Sequence, residues 1–300
     1  MKRYELAAVT GLDSLKLVER DAPQPGPGQV LIRTTAWSLN YRDLLVAGGK
    51  YGPPRAGCVP LSDGVGVIEA VGAGVTRVAV GDRVAGIFMQ GWIAGDIPGD
   101  AGNTALGGAI DGMLSEHVVL SAEGVVKPPA HLTDEEAASL PCAAVTAWNA
   151  LVRESRIKAG DTVVLLGTGG VSLIALQFAK AHGATTIVTS SSDAKLDFAR
   201  TLGADRTINY RTQPDWDKAV IDITGGRGAD IVVEVGGPGT FDKSANALRP
   251  GGHLPLIGVL TGVNGAVATS AILRKHIRVH GIYVGSREMF EEMNRAIAAH

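Results

Sequence analysis

The chain has 300 residues, with 28 Lys and Arg against 30 Asp and Glu and a net charge of −2. This near balance argues against a nucleic-acid partner, which needs a cationic face, and two cysteines, Cys58 and Cys142, are too few for a disulfide framework. The N-terminus lacks the continuous apolar core of a secretory signal and no apolar run is long enough to span a bilayer, so the expectation is a cytoplasmic protein with no membrane partner.

The first third reads as β-rich. Gln29–Thr35 follows a proline- and glycine-rich stretch and alternates apolar with polar residues, as a half-buried strand does. Gly64–Val71, Arg83–Phe88 and Ser115–Leu120 are further short strands, and their close spacing suggests a barrel or a compact irregular sheet. Lys127-Pro128-Pro129 reads as a linker. Thr133 then suits a helix N-cap, with Asp134, Glu135 and Glu136 in the first turn, where the helix dipole favours acids. A second helix is expected over Ala143–Ser155.

Beyond it, strands and helices alternate. The strands are Thr162–Leu166, Thr185–Thr189, Arg206–Asn209, Asp230–Val235, His253–Gly258 and Ile277–Val284. Most are apolar without alternation, as in a parallel sheet covered on both faces. The chain closes with an amphipathic helix, Arg287–Ala299.

Asp161–Asp205 carries the chemistry. A buried strand runs into Gly167-Thr168-Gly169-Gly170-Val171-Ser172, a helix follows over Val171–His182, and then a second strand. Glycines let a pyrophosphate approach the backbone, and the helix N-terminus offers N–H groups and a positive dipole end. Ser172 stands where the dinucleotide fingerprint has its third glycine. At the tip of the second strand, where an NAD site carries a carboxylate for the ribose 2′-OH, the sequence has Ser190, Ser191 and Ser192. Hydroxyls can donate to a 2′-phosphate, Lys195 can add a charge-assisted contact, and Asp193 reads as a helix-start residue.

The ordered segments PGPGQVLIRTTAWSLNYRD, GVGVIEAVGAGVTRVAVGDRV, SLPCAAVTAWNAL, GTGGVS, LGADRTINYR, GADIVVEVGG and LRPGGHLPLIG together resemble the medium-chain dehydrogenase/reductase superfamily, in its zinc-independent quinone oxidoreductase-like branch. The resemblance implies an α/β protein: a GroES-like β-rich catalytic domain over 1–126, a doubly wound Rossmann domain over 127–284, and a C-terminal helix over 285–300 returning toward the catalytic domain. The family continues past that helix with a further returning segment, whereas this sequence stops at His300.

Zinc-dependent members carry a cysteine at the position of Asn40 and a histidine at that of Ser62, with Cys142 at the third ligand position. An amide and a hydroxyl replace thiolate and imidazole poorly, so no metal is expected. In NADPH-dependent quinone reductases a lysine and the tyrosine of an INY motif embrace the 2′-phosphate, and Lys195 and Tyr210 match them. NADPH is the expected cofactor. The resemblance also puts Asn40 and Thr146 near the nicotinamide, and Gly236, Gly237, Ile257 and Gly258 at Rossmann strand ends where ligands sit or where the turns are simply tight.

Enoyl thioester reductases of the superfamily have a catalytic tyrosine eleven residues after the matching asparagine, which is Tyr51 here. Tyr51 either gives a proton or lines the cleft, and Tyr41 is a further candidate to face substrate. Asp43 reads as a brace for its turn, and Trp92 as a residue bordering the cleft or packed in the interior.

The activity implied is zinc-free, NADPH-dependent hydride transfer to a quinone or other conjugated carbonyl. The alternatives are reduction of a 2-enoyl thioester with Tyr51 as acid, a zinc alcohol dehydrogenase, and a low-turnover NADPH-binding structural or partner protein. Relatives often dimerise through the last Rossmann strand, which makes Ile277–Val284 the candidate homodimer edge.

Overall fold

The structure, a computed structural model, describes all residues except 53 and 54. It divides into two units: Met1–Val145 together with Val284–His300, and Thr146–Tyr283.

In the first unit, β1 (Lys2–Leu6) and β2 (Leu15–Glu19) form an antiparallel pair that the pattern reading missed. A five-stranded antiparallel sheet holds β3 (Gln29–Ser38), β4 (Asp63–Val71), β5 (Arg83–Gly86), β6 (His117–Ser121) and β7 (Val125–Val126), in the order β6-β3-β4-β5-β7. Inward residues of these strands, including Val30, Ile32, Ile68, Val84 and Leu120, make its core with Leu106 and Met113. At Gly66 a Cβ would lie 2.2 Å from the Arg33 carbonyl oxygen, so β3 and β4 approach here only because the residue is glycine. Between β3 and β4 lies a short helix, α1 (Tyr41–Ala47). Helix α2 (Asp134–Ala138) opens on a capping box: Thr133 accepts from the Glu136 N–H, and Glu136 accepts from the Thr133 N–H at 2.8 Å.

The division falls at Val145 rather than at Val126. Arg83 on β5 explains why residues 127–145 stay with the first unit. Its guanidinium donates to the carbonyls of Pro129 and Leu132 and pairs with Asp134, which ties the proline segment and the start of α2 to the sheet. The helix expected over Ala143–Ser155 starts earlier, at Leu140, with Pro141 in its first turn, where the missing N–H costs nothing. It is wound as π-turns over Leu140–Ala144 and Asn149–Glu154, with α3 (Val145–Trp148) between them.

The second unit is a six-stranded parallel sheet. Its strands alternate with helices as β8 (Thr162–Leu166), α4 (Gly170–Ala181), β9 (Thr185–Ser190), α5 (Asp193–Thr201), β10 (Arg206–Asn209), α6 (Trp216–Ile223), β11 (Ala229–Val233), α7 (Pro238–Ala247), β12 (Leu248–Leu256), α8 (Thr269–Lys275) and β13 (Arg278–Gly281). The order β10-β9-β8-β11-β12-β13 is that of a Rossmann sheet. Strands β8 and β11, on either side of the reversal in strand order, are apolar on both faces, with Val163, Val164, Ile231 and Val232 almost fully buried. The last strand is shorter than Ile277–Val284, because only Arg278–Gly281 pairs with β12.

The chain ends in α9 (Arg287–Ala299), as its periodicity predicts. Ser286 caps it, and the N–H groups of Arg287 and Glu288 donate to the carbonyls of Trp92 and Ile93. Trp92 is therefore an interior residue holding a helix end, with its indole N–H on the Gly95 carbonyl at 3.0 Å.

Candidate cofactor site and active-site residues

At the carboxyl end of β8 the chain turns at Gly167, whose φ of 74° lies in the left-handed region that glycine tolerates. Its N–H donates to Thr189 Oγ1 on β9. A Cβ built on Gly167 or Gly169 would meet nothing within 4 Å, so the turn presents bare backbone to whatever lies above it. Gly169 is the N-cap of α4 and supplies no side-chain acceptor, which leaves the first-turn N–H groups for an anion. Thr168 and Val171 flank this turn, partly exposed. Ser172 is buried and donates through Oγ to the Leu166 carbonyl at 2.7 Å. The serine thus ties α4 to β8 where a glycine would only allow them to approach.

The end of β9 meets the end of β10. The Tyr210 N–H donates to the Ser190 carbonyl at 3.0 Å, which sets the tyrosine, 41% exposed, beside the serine run. Ser190 itself is buried and its Oγ accepts from the Ser192 N–H, so Ser191 and Ser192 are the accessible hydroxyls. Asp193, the first carboxylate after the strand, accepts from the Asn209 side-chain amide at 2.8 Å. Lys195 lies exposed in the first turn of α5. Arg211, a second exposed cation, follows Tyr210 directly; the pattern reading passed over it, although its place beside the INY segment was visible.

Beyond β11 the governing residue is Glu234, which the sequence reading did not single out. It is wholly buried. Its Oε1 accepts from the N–H groups of Gly236 and Gly237, at 2.7 and 2.9 Å, and from the Thr240 hydroxyl, while Oε2 accepts from Ser244. The carboxylate therefore occupies the start of α7, and the Gly236 and Gly237 N–H groups are spent on it. Ile257 and Gly258 both donate to the Glu234 carbonyl. At Gly258 a Cβ would lie 1.6 Å from the Val235 carbonyl oxygen, so this glycine is required by close backbone packing. Thr146 is buried, 3% exposed, at the start of the second unit.

The remaining candidates belong to the first unit. Asn40 is the N-cap of α1, and its N–H donates to Asp43 Oδ2 at 2.8 Å, so Asp43 braces the turn. Burial raises the Asp43 carboxyl above its ordinary value, against the opposing influence of the Asn40 N–H and the Arg42 charge. Tyr41 is half exposed on α1. Arg42, by contrast, is buried: Nη1 donates to the Leu106 carbonyl at 2.7 Å, and its guanidinium lies over the rings of Phe88 (4.7 Å) and Tyr51 (5.1 Å). Tyr51 packs against the apolar group Leu6, Val46 and Ala47.

Asp63 opens β4, Ser62 directly precedes it, and both are closed to solvent. Ser62 Oγ donates to Asp63 Oδ1 at 2.6 Å, and the Cys142 N–H donates to Oδ2 at 3.0 Å. Burial raises Asp63 to about 7, although the Ser62 hydroxyl, the Cys142 N–H and the Asn40 amide all favour its charged form. The Cys142 thiol is pushed well above its ordinary value, by burial and by the neighbouring Asp63 carboxylate. The structure thus gathers Asn40, Ser62, Asp63 and Cys142 in one unit.

Two family models match this chain: the alcohol dehydrogenase GroES-like domain over residues 26–130 and the zinc-binding dehydrogenase domain over residues 170–299. A zinc-type alcohol dehydrogenase-like protein of Schizosaccharomyces pombe is 44% identical over 299 residues, covering 97% of this chain and 86% of its own. The chain belongs to the medium-chain dehydrogenase/reductase superfamily. A 2-haloacrylate reductase of a Burkholderia species is 35% identical over 259 residues, covering 84% of this medium-chain dehydrogenase/reductase and 72% of its own length. Among solved structures, the quinone oxidoreductase of Pseudomonas syringae pv. tomato DC3000 superposes with a TM-score of 0.82 at 30% identity, over 99% of this chain and 87% of that one. An NAD-dependent alcohol dehydrogenase reaches a TM-score of 0.90 at 32% identity, over 100% and 89%. This medium-chain dehydrogenase/reductase is thus an oxidoreductase with a GroES-like N-terminal domain and a Rossmann domain for a nicotinamide cofactor.

The Rossmann unit fits that cofactor: bare glycines above β8, an uncapped α4 and accessible hydroxyls at the end of β9 suit a dinucleotide. The donor set of the first unit does not fit the zinc of the zinc-binding members. Asn40 offers an amide and the Ser62 hydroxyl is turned to Asp63, which leaves Cys142 as the one soft donor among the three positions. Among the described residues, no group of three or more His, Cys, Asp or Glu is placed to hold a metal ion.

Proposed function

We propose that this enzyme uses NADPH to reduce a quinone or another conjugated carbonyl, without a catalytic zinc. The observation that carries the cofactor choice is the hydrogen bond from Asn209 to Asp193. It commits the first carboxylate beyond β9 to the end of β10, leaving Ser191, Ser192, Lys195 and Tyr210 around the place of the ribose 2′ group. A 2′-phosphate finds hydroxyl donors and cations there, including Arg211, where a 2′-hydroxyl would find no carboxylate partner.

Bound NADPH supplies the hydride. The chain's own residues do the rest. The first-turn N–H groups of α4 and the bare backbone at Gly167 and Gly169 would hold its pyrophosphate, and Asn40 and Thr146 are assigned to the nicotinamide end. Glu234 keeps the start of α7 rigid at the strand ends. Substrate needs no metal when its own conjugation spreads the charge that hydride addition creates, and a proton completes the reaction.

The packing of Tyr51 against a cation favours the reading in which that proton comes from its phenol, which extends the substrate class to enones and 2-enoyl thioesters. Tyr41, half exposed on α1, is assigned to the substrate side. A homodimer is proposed through β13, an exposed edge strand whose outer backbone groups a second copy would pair.

Titration with NADPH and NADH, followed by a quinone, enone and enoyl-thioester panel with metal analysis, tests the assignment. Tighter NADPH binding and turnover of conjugated carbonyls by metal-free enzyme support it. Tighter NADH binding, or activity that tracks bound zinc, rejects it.

A further inference from the structure

Arg42 is a buried cation with unusually poor compensation. It is 7% exposed. Its one carboxylate neighbour among the described residues, Asp43 Oδ1, stands 3.6 Å from Nη1, beyond hydrogen-bond length, and the other Asp43 oxygen accepts from the Asn40 N–H. Nη1 instead donates to the Leu106 carbonyl, and Nε has no hydrogen-bond partner among the described residues. A guanidinium kept only for stability would be expected to pair in a fork with a carboxylate, since an unpaired buried charge is strongly destabilising. Here two aromatic faces take that place, Phe88 and Tyr51.

Phe88 can offer nothing beyond its face. Tyr51 is different, because its ring bears an ionisable phenol. It lies against Leu6, Val46 and Ala47, and this apolar contact opposes formation of a phenolate. The guanidinium supplies the opposite bias. The other charged and titratable groups around this corner are Asp43 on α1, Cys142 and Asp63, which act on Arg42 and Asp43 from the far side of α1, and Arg55, Cys58 and Asp111, which are coupled to one another beyond it. Asp43 is ionised where a phenol titrates, but it stands 3.6 Å from Nη1 and shares its other oxygen with the Asn40 N–H, so it offsets only part of the Arg42 charge. Arg55 and Asp111 pair with each other at 2.6 Å and nearly cancel.

We infer that Arg42 is the positioning residue of the acid step: it fixes the Tyr51 ring by a cation–π contact and stabilises the phenolate left when the phenol gives up its proton. In that step the Tyr51 O–H bond breaks and a bond to hydrogen forms on the reduced, enolate-like substrate. The negative charge passes to the phenolate, whose ring centroid lies 5.1 Å from the Arg42 guanidinium, and solvent returns the proton afterwards. The inference rests on Tyr51 acting as the acid, but the electrostatic coupling can be measured without turnover.

The test is titration of phenolate absorbance in the cofactor-free protein, taking wild type minus Tyr51→Phe to isolate Tyr51. Arg42→Met should move the Tyr51 titration upward by about one pH unit or more, and Arg42→Lys should restore part of the shift. Gly108→Ala offers a variant that keeps the charge, because its Cβ would come within 2.8 Å of Arg42 Nη2 and push the guanidinium aside. It should give a smaller upward shift even if Arg42→Met fails to fold. With an enone substrate, the basic limb of the pH–kcat profile should move with the titration. An unmoved Tyr51 titration in folded Arg42→Met, or in Gly108→Ala where Arg42→Met does not fold, would overturn the coupling. A shifted titration alongside full enone turnover by Tyr51→Phe would overturn the acid role and leave the coupling standing.

Discussion

Ser62 and Asp63 stand side by side at the start of β4, with the serine hydroxyl donating to the carboxylate at 2.6 Å and neither side chain reaching solvent. A position that serves a metal in zinc-dependent relatives is here closed by an internal hydrogen bond. The cost falls on Asp63, whose burial favours the protonated form.

Asp63 gives the fold a measurable pH dependence. Its carboxyl has an ordinary value of 3.8 and stands at about 7 in the folded chain. Between those values the folded chain holds a proton that the unfolded chain has released, so this contribution to stability falls as pH rises from about 4 to about 7 and is level above. The slope is up to ~1.4 kcal/mol per pH unit. Asp63→Asn should flatten that limb in urea unfolding followed across the range, and should be more stable than wild type above neutrality. An unchanged slope would remove Asp63 as its source.

Glu234 should prove the most sensitive buried polar residue of the second unit. Glu234→Ala strips the acceptor from two backbone N–H groups and two hydroxyls at once. A loss of about 3 kcal/mol or more is expected, read from thermal or urea unfolding. Weakened cofactor binding should accompany it, because the start of α7 loosens.

Lys195→Ala should weaken NADPH roughly tenfold and leave NADH nearly unchanged, as loss of one charge-assisted contact to a phosphate predicts. Fluorescence titration of both cofactors gives the comparison. Equal weakening of the two would mean that Lys195 does not read the 2′ group.

Ser172→Ala should cost about 1 kcal/mol, the net worth of its hydrogen bond to the Leu166 carbonyl. Ser172→Gly should cost more, since glycine adds chain entropy inside α4 and restores no bond. Chemical denaturation of the three proteins orders them, and a glycine variant as stable as wild type would contradict the assigned role.

The sequence by itself determined the Rossmann unit and its glycine turn, because an apolar strand, a glycine run and a periodic helix are local patterns written in consecutive residues. The same holds for the Thr133 cap with acids in its first turn, whereas the Asn40 and Ser62 replacements are legible only through the resemblance to zinc-dependent members. The cap at α1 was equally local, since Asn40 precedes Asp43 by three residues, yet without a long periodic run the helix behind it went unread. Tertiary structure alone decided which polar side chains are buried and against what. Arg42 reaches the Leu106 carbonyl, Asp63 receives the Cys142 N–H, and Arg83 holds residues 127–145 to the first unit across long spans of chain. A side chain's charge, and the chemistry it can perform, follow from the solvent it loses and the partners it gains on folding. No pattern of neighbours along the chain encodes either.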